Sequence, residues 1–389
     1  MRIYLDNSAT TKICREALEK YIEVSENEFG NPSSLHGMGI IAEKELDITR
    51  GEIRNSIKDR DATIIFTSSG TEANNLAIMG RAFSKERYKR GAKIITTDSE
   101  HASVSSPIDK LSEMGFKIAH IPTKMGIVDI DALKREMTPD VILVTVMMVN
   151  NETGALYDIA HISEIMKSNS PDAYLHVDAT QSYLKIPFTR KSLGADMITL
   201  SSHKIEGPKG VGALVISPSV IKARGLSPII FGGGQEGALR SGTENVPGIA
   251  AFGAAVKRGV PLIVENGKKM DALRSYLIEK LSTDTVLSSI SVTNPVSHAP
   301  HILNITLPSI KSETMLHYLS SLGIFVSSGS ACSSNSNAVS SALTSYGRSV
   351  SEADSSIRIS FCADNDFSDV DALTEALKSG LQKLARIKR

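Results

Sequence analysis

The sequence predicts an α/β fold: a large domain built on a mostly parallel sheet, followed by a smaller α+β domain. Three observations carry this. Short apolar runs rich in β-branched residues alternate with helical patterns through the first two thirds of the chain, and such alternation is the signature of a parallel sheet covered by helices. Near Val256 the alternation stops and a long amphipathic helical pattern takes over. The chain has 389 residues, 41% of them hydrophobic and 22% charged, which is apolar material for more than one core and not the composition of a disordered or coiled-coil chain.

Taken in order, the strand candidates of the large domain are ATIIF from Ala62, KIITT from Lys93, FKIAHI from Phe116, VILVTV from Val141, AYLHV from Ala173, MITLS from Met197 and GALVI from Gly212. In a sheet of this kind ligands collect at the carboxyl ends of the strands, so the residues after each run are the ones to search. Beyond Val256 the pattern predicts a helix from about Pro261 to Leu281, a strand ILNITL from Ile302, a helix from Glu313, strands IFVSS from Ile324 and IRIS from Ile357, and a final helix beginning near Ser368. The stretch from Ser327 to Ser356 is rich in Ser, Gly and Asn and reads by composition as a linker. The basic segment Arg81 to Lys93 reads as a solvated helix end or a docking surface. No repeat of solenoid period recurs.

Lys plus Arg and Asp plus Glu are both 43, so no net field recruits nucleic acid or an anionic membrane surface. The longest apolar run, from Val141 to Val149, is far short of the roughly 20 residues that span a bilayer. The N-terminal MRIYLDNSATT has no signal-peptide apolar core, and cytoplasmic residence without a membrane or nucleic-acid partner is the expectation. Three cysteines, Cys14, Cys332 and Cys362, are an odd number without paired metal spacing. They predict a reducing compartment, no metal centre and room for one working thiol. Cys362, beside an apolar strand, is expected to be buried.

No P-loop or GxGxxG fingerprint is present, so the chemistry lies elsewhere. After the run at Ala62 comes TSSGTEANNLAI, where Ser68, Ser69, Gly70 and Thr71 open a helix whose free N–H groups would hold a phosphate; an ordinary N-cap reads the same way. After the run at Ala173 come Asp178 and Gln181, a carboxylate at a strand end that could equally be a turn residue. After the run at Met197 comes SSHKIEGPKG, with Ser201, His203 and Lys204 at another strand end. A lysine placed there is a candidate Schiff-base former, and Lys209 is its competitor. An anion site, a strand-end Asp and a strand-end Lys are the parts that pyridoxal phosphate requires. His101 in TDSEHASV could stack on the pyridine ring or simply cap a helix.

The blocks YLDNSATT, FGNPSSLHGMG, FTSSGTEANNLAI, EHASV, VNNETG, HVDATQ, SSHKIEGPKG, GGGQEGALRSGTENVP, SSGSACSS and SSIRIS occur in this order along essentially the whole chain. In them the sequence resembles a cysteine desulfurase of the NifS/IscS type, a fold-type I pyridoxal-phosphate enzyme of the class V aminotransferase family. The resemblance implies a cofactor-binding domain over 15–258 and a smaller domain from 1–14 and 259–389 that carries the catalytic cysteine on a loop at about 327–356. It implies Lys204 as the lysine bound to pyridoxal 5'-phosphate, Asp178 as the partner of the ring nitrogen, Gln181 on the ring hydroxyl and His101 stacked on the ring. Gly70, Thr71, Ser201 and His203 fall where the family binds the phosphate, and Thr243 in RSGT would reach the phosphate of a neighbouring subunit, implying a homodimer with shared sites. Asn151 and Arg358 fall where the substrate carboxylate is held, and a guanidinium fork suits that task.

Cys332 in SSGSACSS matches the cysteine that accepts sulfur. The implied reaction is L-cysteine to L-alanine with a persulfide on Cys332, passed to an iron–sulfur scaffold, a thiolation carrier or another acceptor. The alternatives are selenocysteine lyase or another fold-type I enzyme such as an aminotransferase, which would keep Lys204 and Asp178 without needing a persulfide. Two places depart from the family pattern: Glu206, two residues past Lys204, and FCADNDFSDVDAL after Ser360. Glu206 either alters the surroundings of the lysine or faces solvent.

Overall fold

The computed structural model describes residues 2–89, 91–328 and 340–384. Among the described residues the strands are β1 (Ile3–Tyr4), β2 (Thr63–Thr67), β3 (Lys93–Thr97), β4 (Lys117–Ile121), β5 (Val141–Met147), β6 (Tyr174–Asp178), β7 (Met197–Ser201), β8 (Gly212–Ile216), β9 (Ser291–Thr293), β10 (Ile302–Thr306), β11 (Ile324–Phe325), β12 (Ser327–Ser328) and β13 (Ser356–Ser360). The predicted runs in the large sheet match β2 to β8 within a residue at each start.

The main sheet has the order β2-β8-β7-β6-β5-β3-β4. From β7 to β4 every pairing is parallel, and β8 runs against both its neighbours. Two reversals restore direction, so β2 points the same way as β7. The carboxyl ends of β2, β3, β5, β6 and β7 therefore lie along one edge. The side chains explain why these strands read as continuous apolar runs: Ile64 and Phe66 join one buried cluster and Ile65 the cluster on the opposite face, as Val144 and Leu143 do on β5. A sheet covered on both faces needs apolar residues at successive positions.

A second sheet, β12-β13-β10-β9, is antiparallel throughout, and β1 pairs in parallel with β11. Its apolar cluster joins Leu273, Leu277, Ile305, Ile357 and Leu377 to Ile3 and Leu5 from the chain's start. Helices Val246–Gly259 and Ile263–Thr283 follow one another, where the sequence pattern predicts only the second. The run Val246–Thr283 is long and apolar enough by composition to cross a membrane, but half of its most apolar window is buried inside the fold, and Val246–Gly259 packs against helices Arg15–Asn27 and Gly37–Ser56.

Three expectations are corrected. In its described part, the stretch read as a linker contains two helices, Ser341–Tyr346 and Val350–Asp354, each capped by a serine side chain, so serines there serve as helix caps. Arg81 is not on a solvated face: it is fully buried, paired with Glu86 at 2.5 Å and stacked 4.1 Å from the Tyr174 ring centroid. Cys362 is only half-buried: it lies two residues past the end of β13, beyond the fully buried Phe361.

Candidate active site

The shared edge of the main sheet gathers side chains that are far apart in sequence. A cavity of about 360 Å³ is bordered there by Gly70 and Thr71 after β2, His101 after β3, Asn151 after β5, Asp178 and Gln181 at the end of β6, Ser201, His203 and Lys204 after β7, and Arg358 from β13. Residues named from the sequence thus meet in one place. Lys209 is exposed and does not border it, which separates the two lysines that the sequence left open. Thr243 is exposed and outside the cavity as well. Cys332 lies outside the described residues.

The β2 end is both an N-cap and a cavity wall. Ser69 accepts from the Glu72 N–H at 3.2 Å while the Glu72 carboxylate accepts from the Ser68 N–H at 2.8 Å, fixing the start of helix Gly70–Phe83. That orientation turns the first helical residues, Gly70 and Thr71, to the cavity, where a helix N-terminus favours an anion. A Cβ on Gly70 would sit 3.1 Å from Thr180 Oγ1 and 3.3 Å from Ser201 Cβ, so the glycine leaves space that a side chain would fill.

Asp178 is buried, and both carboxylate oxygens are held: the Thr180 N–H donates to Oδ1 at 2.9 Å and Asn74 Nδ2 to Oδ2 at 2.8 Å. The turn role and the cavity role coexist. Gln181 donates through Nε2 to the Ser8 carbonyl at 2.9 Å, leaving its buried Oε1 without a partner, and the buried Ser8 Oγ has none either.

Lys204 ends the 3₁₀ turn Ser202–Lys204 that follows β7, and its amine donates to the carbonyls of Ser8 and Ala9, the latter at 2.8 Å. His203 beside it contacts Thr10 Oγ1 at 3.1 Å; burial, then the charges of Lys204, Lys209 and Lys185, push it down to about 4, so it is neutral. His101 caps helix Ala102–Glu113 and borders the cavity at once. The Ser103 N–H donates to its Nδ1 at 3.1 Å, so that nitrogen carries no proton, and a neutral ring carries it on Nε2. Burial holds His101 below the usual histidine range, helped by Lys204 and Arg358 and opposed by Asp178.

Arg358 enters from the second sheet, with β12 and β10 on either side of it. It donates to the Asn151 carbonyl at 3.0 Å and to Asp6 Oδ1 at 2.8 Å, while its buried Nε has no protein partner. Glu206 does not face solvent freely: its carboxylate accepts from Arg258 at 2.5 Å.

Asp6, Ser8 and Asn74 were not singled out by sequence reasoning. Asp6 and Ser8 sit in YLDNSATT, a polar run with no chemistry of its own until the chain's start is laid beside β13. Asn74 had a usable signal, since a residue four after Gly70 shares its helix face. Glu100, behind the cavity wall residue Met147, is a fourth: its buried carboxyl group accepts from Thr97 Oγ1 at 2.6 Å and from the Met147 N–H at 3.0 Å, and burial pushes it up to about 8.

These groups fit pyridoxal 5'-phosphate. A buried acceptor for a ring N–H, an unpartnered amide oxygen, a primary amine and a small-residue cradle at a helix N-terminus match its pyridine nitrogen, ring hydroxyl, aldehyde and phosphate in chemical type.

Comparison with known proteins points the same way. The Aminotransferase class-V family matches residues 3–373. A curated relative from Methanosarcina thermophila, named cysteine desulfurase IscS, is 36% identical over 98% of this chain and 92% of its own. Among solved structures, a NifS-like protein superposes with a TM-score of 0.90 at 34% identity, over 98% of this chain and all of the other (100%). Another, described as SspA in complex with cysteine, gives 0.79 at 30% identity over 92% of this chain and 98% of its own.

Proposed function

The chain belongs to the Aminotransferase class-V family, and from that premise we propose that it is a pyridoxal-phosphate-dependent cysteine desulfurase, converting L-cysteine to L-alanine with a persulfide left on Cys332. The observation that carries this is the meeting of the Lys204 amine, the Asp178 carboxylate and the Arg358 guanidinium around one cavity whose wall is a helix N-terminus. Bound there, pyridoxal phosphate supplies an electrophilic carbon for an amine and a ring that takes up the electrons released at Cα.

The chain's own residues do the rest. Lys204 would hold the cofactor through its amine, and the same amine would serve as the base for the Cα proton. Asp178, held by Asn74 and Thr180, would accept from the ring nitrogen and favour its protonated form. Gln181 would hydrogen-bond the ring hydroxyl through its unpartnered Oε1, and His101, neutral with its proton on Nε2, would lie against the ring and supply or relay a proton from that nitrogen. Gly70, Thr71, Ser201 and His203 would hold the phosphate, and Thr243 would be contributed by a neighbouring subunit of a homodimer. Arg358 and Asn151 hold the substrate carboxylate. The Cys332 thiolate attacks the substrate sulfur: an S–S bond forms, the C–S bond breaks with its electron pair left on the carbon side, Cβ takes up a proton, and a proton is returned to Cα to give alanine.

We further propose the division into a cofactor-binding unit over 15–258 and a smaller unit from 1–14 and 259–389, which the separate apolar cluster of the second sheet supports. The sulfur goes to an acceptor protein, an iron–sulfur scaffold or a thiolation carrier, and the protein acts in the cytoplasm. The test is Cys332→Ser with L-cysteine. The variant is expected to keep its cofactor colour and yield almost no alanine, while wild type carries a one-sulfur adduct on the Cys332 peptide by mass spectrometry. Wild-type rates of alanine formation from the serine variant would reject the proposal.

A further inference from the structure

The stretches of chain on either side of Cys332 are both fixed beside the residues that would hold the substrate carboxylate. On the amino-terminal side, Ser327 of β12 borders the active-site cavity and faces Arg358 in the β12–β13 pairing. On the carboxyl-terminal side, eight residues past Cys332, the Ser340 hydroxyl donates to Glu152 Oε2 at 2.5 Å. Glu152 directly follows Asn151, and the contact joins positions 188 residues apart in sequence.

The turn that presents Glu152 is held by its own hydrogen bonds. Asn150 Oδ1 accepts from the N–H groups of Glu152 and Thr153 at 3.0 and 2.8 Å, and Asn150 Nδ2 donates to the Ser99 carbonyl at 3.0 Å. The Asn151 carbonyl accepts from Arg358. Ser340 also accepts from the Leu343 N–H at 3.1 Å and so caps helix Ser341–Tyr346, and further along that helix Ser345 Oγ donates to the Asp98 carbonyl at 3.2 Å. The helix is thereby tied to the loops after β3 and β5, which supply His101 and Asn151 to the cavity. Burial pushes the Glu152 carboxyl group up, opposed by the Ser340 hydroxyl and then by the charge of Arg358. Capping the helix needs only the bond from Leu343. What the bond to Glu152 adds is a fixed place for the helix start relative to Asn151 and Arg358.

We infer that Glu152 is a positioning residue for sulfur transfer: by holding Ser340 to the turn of Asn151, it fixes the point from which the chain runs back to Cys332. The inference rests on the reading of Cys332 as the sulfur acceptor. Misplacing a reacting group by about 1 Å costs up to about 100-fold in rate, so one tie at the end of a short connection carries weight. Glu152 does not itself border the cavity, so its effect falls on sulfur transfer and not on affinity for an amino acid.

The experiment uses the holoenzyme. Glu152→Met removes the acceptor and leaves the helix cap, Glu152→Gln keeps an oxygen in the same place, and Ser340→Gly removes the donor at little cost to the cap. Each is mixed with L-cysteine, and the one-sulfur adduct on the Cys332 peptide is followed in time by quenching and mass spectrometry. Binding of L-alanine, which has no sulfur to give, is titrated through the absorbance of the cofactor. Glu152→Met and Ser340→Gly are each expected to slow adduct formation by about tenfold, with L-alanine affinity within about twofold of wild type. Glu152→Gln restores the rate to within about threefold. The double variant Glu152→Met with Ser340→Gly is no slower than either single one, since both break one contact. Adduct formation at the wild-type rate in Ser340→Gly overturns the inference even if Glu152→Met does not fold. So do additive losses in the double variant, or a loss of L-alanine affinity equal to the loss of rate, which assigns Glu152 to the carboxylate site instead. No adduct on wild-type Cys332 defeats the reading of that thiol, whereas an adduct there that the variants form unchanged defeats only the role of Glu152.

Discussion

Asn74 Nδ2 donates to Asp178 Oδ2 and to Ser103 Oγ, each at 2.8 Å, tying helix Gly70–Phe83, strand β6 and helix Ala102–Glu113 together at the carboxylate that faces the cavity. Asn74→Leu removes the donor at similar volume and leaves Asp178 one charge-assisted bond short. Cofactor retention, measured by equilibrium dialysis, is expected to weaken by about 10- to 100-fold, the size of a hydrogen bond to a charged group at about 1.5–3 kcal/mol. Unchanged retention would remove Asn74 from the support of Asp178.

Lys204 and Lys209 lie five residues apart in sequence, but only Lys204 borders the cavity. Lys204→Ala is expected to abolish the visible absorbance of covalently bound cofactor and to reduce turnover by several orders of magnitude. Lys209→Ala should keep both within about twofold, as befits an exposed side chain. An absorbance scan of the two purified variants decides between them.

Arg358 spends two of its nitrogens on Asp6 and Asn151, and its buried Nε is left over. Arg358→Lys cannot reproduce a planar fork, and the KM for L-cysteine is expected to rise about 10- to 100-fold. Asp6→Asn frees the fork without removing it, so its KM should rise less than that of Arg358→Lys. A larger rise for Asp6→Asn would assign the carboxylate contact wrongly.

Glu100 carries a pH signature. Burial first, and then the nearby charges of Asp178 and Asp98, raise it to about 8 in the fold from an ordinary 4.5. The folded protein therefore holds this proton in a range where the unfolded chain has lost it. Its contribution to stability is complete below about 4.5 and declines as pH rises towards 8. Glu100→Gln mimics the protonated form and cannot titrate. Its melting temperature relative to wild type should rise between pH 5 and pH 8 by a few degrees, as thermal scans in matched buffers will show.

Much of the fold was legible because it is written locally. Apolar runs at β2, β5 and β8 stand out because a strand covered on both faces takes apolar residues at most successive positions. The strand at Ser291–Thr293 was not legible, because three residues with one fully buried side chain carry no period. Cys362 was misread for a related reason: its neighbours Ile359 and Phe361 are core, but the side chain beyond them depends on where the chain turns.

The sequence by itself determined the residue types and their attachment to strand ends: a glycine opening a helix after β2, a carboxylate closing β6 and a lysine past β7 follow from spacing that local propensity dictates. Only the tertiary structure decided which of them meet. The choice of Lys204 over Lys209 came from the 3₁₀ turn that aims one inward, and the roles of Asp6 and Ser8 came from the chain's start lying along β13, some 350 residues away in sequence (a separation of 352 for Asp6 and Arg358). Long-range pairings of that kind leave no trace in local pattern, because the free energy that forms them is released in the packed core that joins the two ends, where Leu5 and Ile359 lie in one buried cluster.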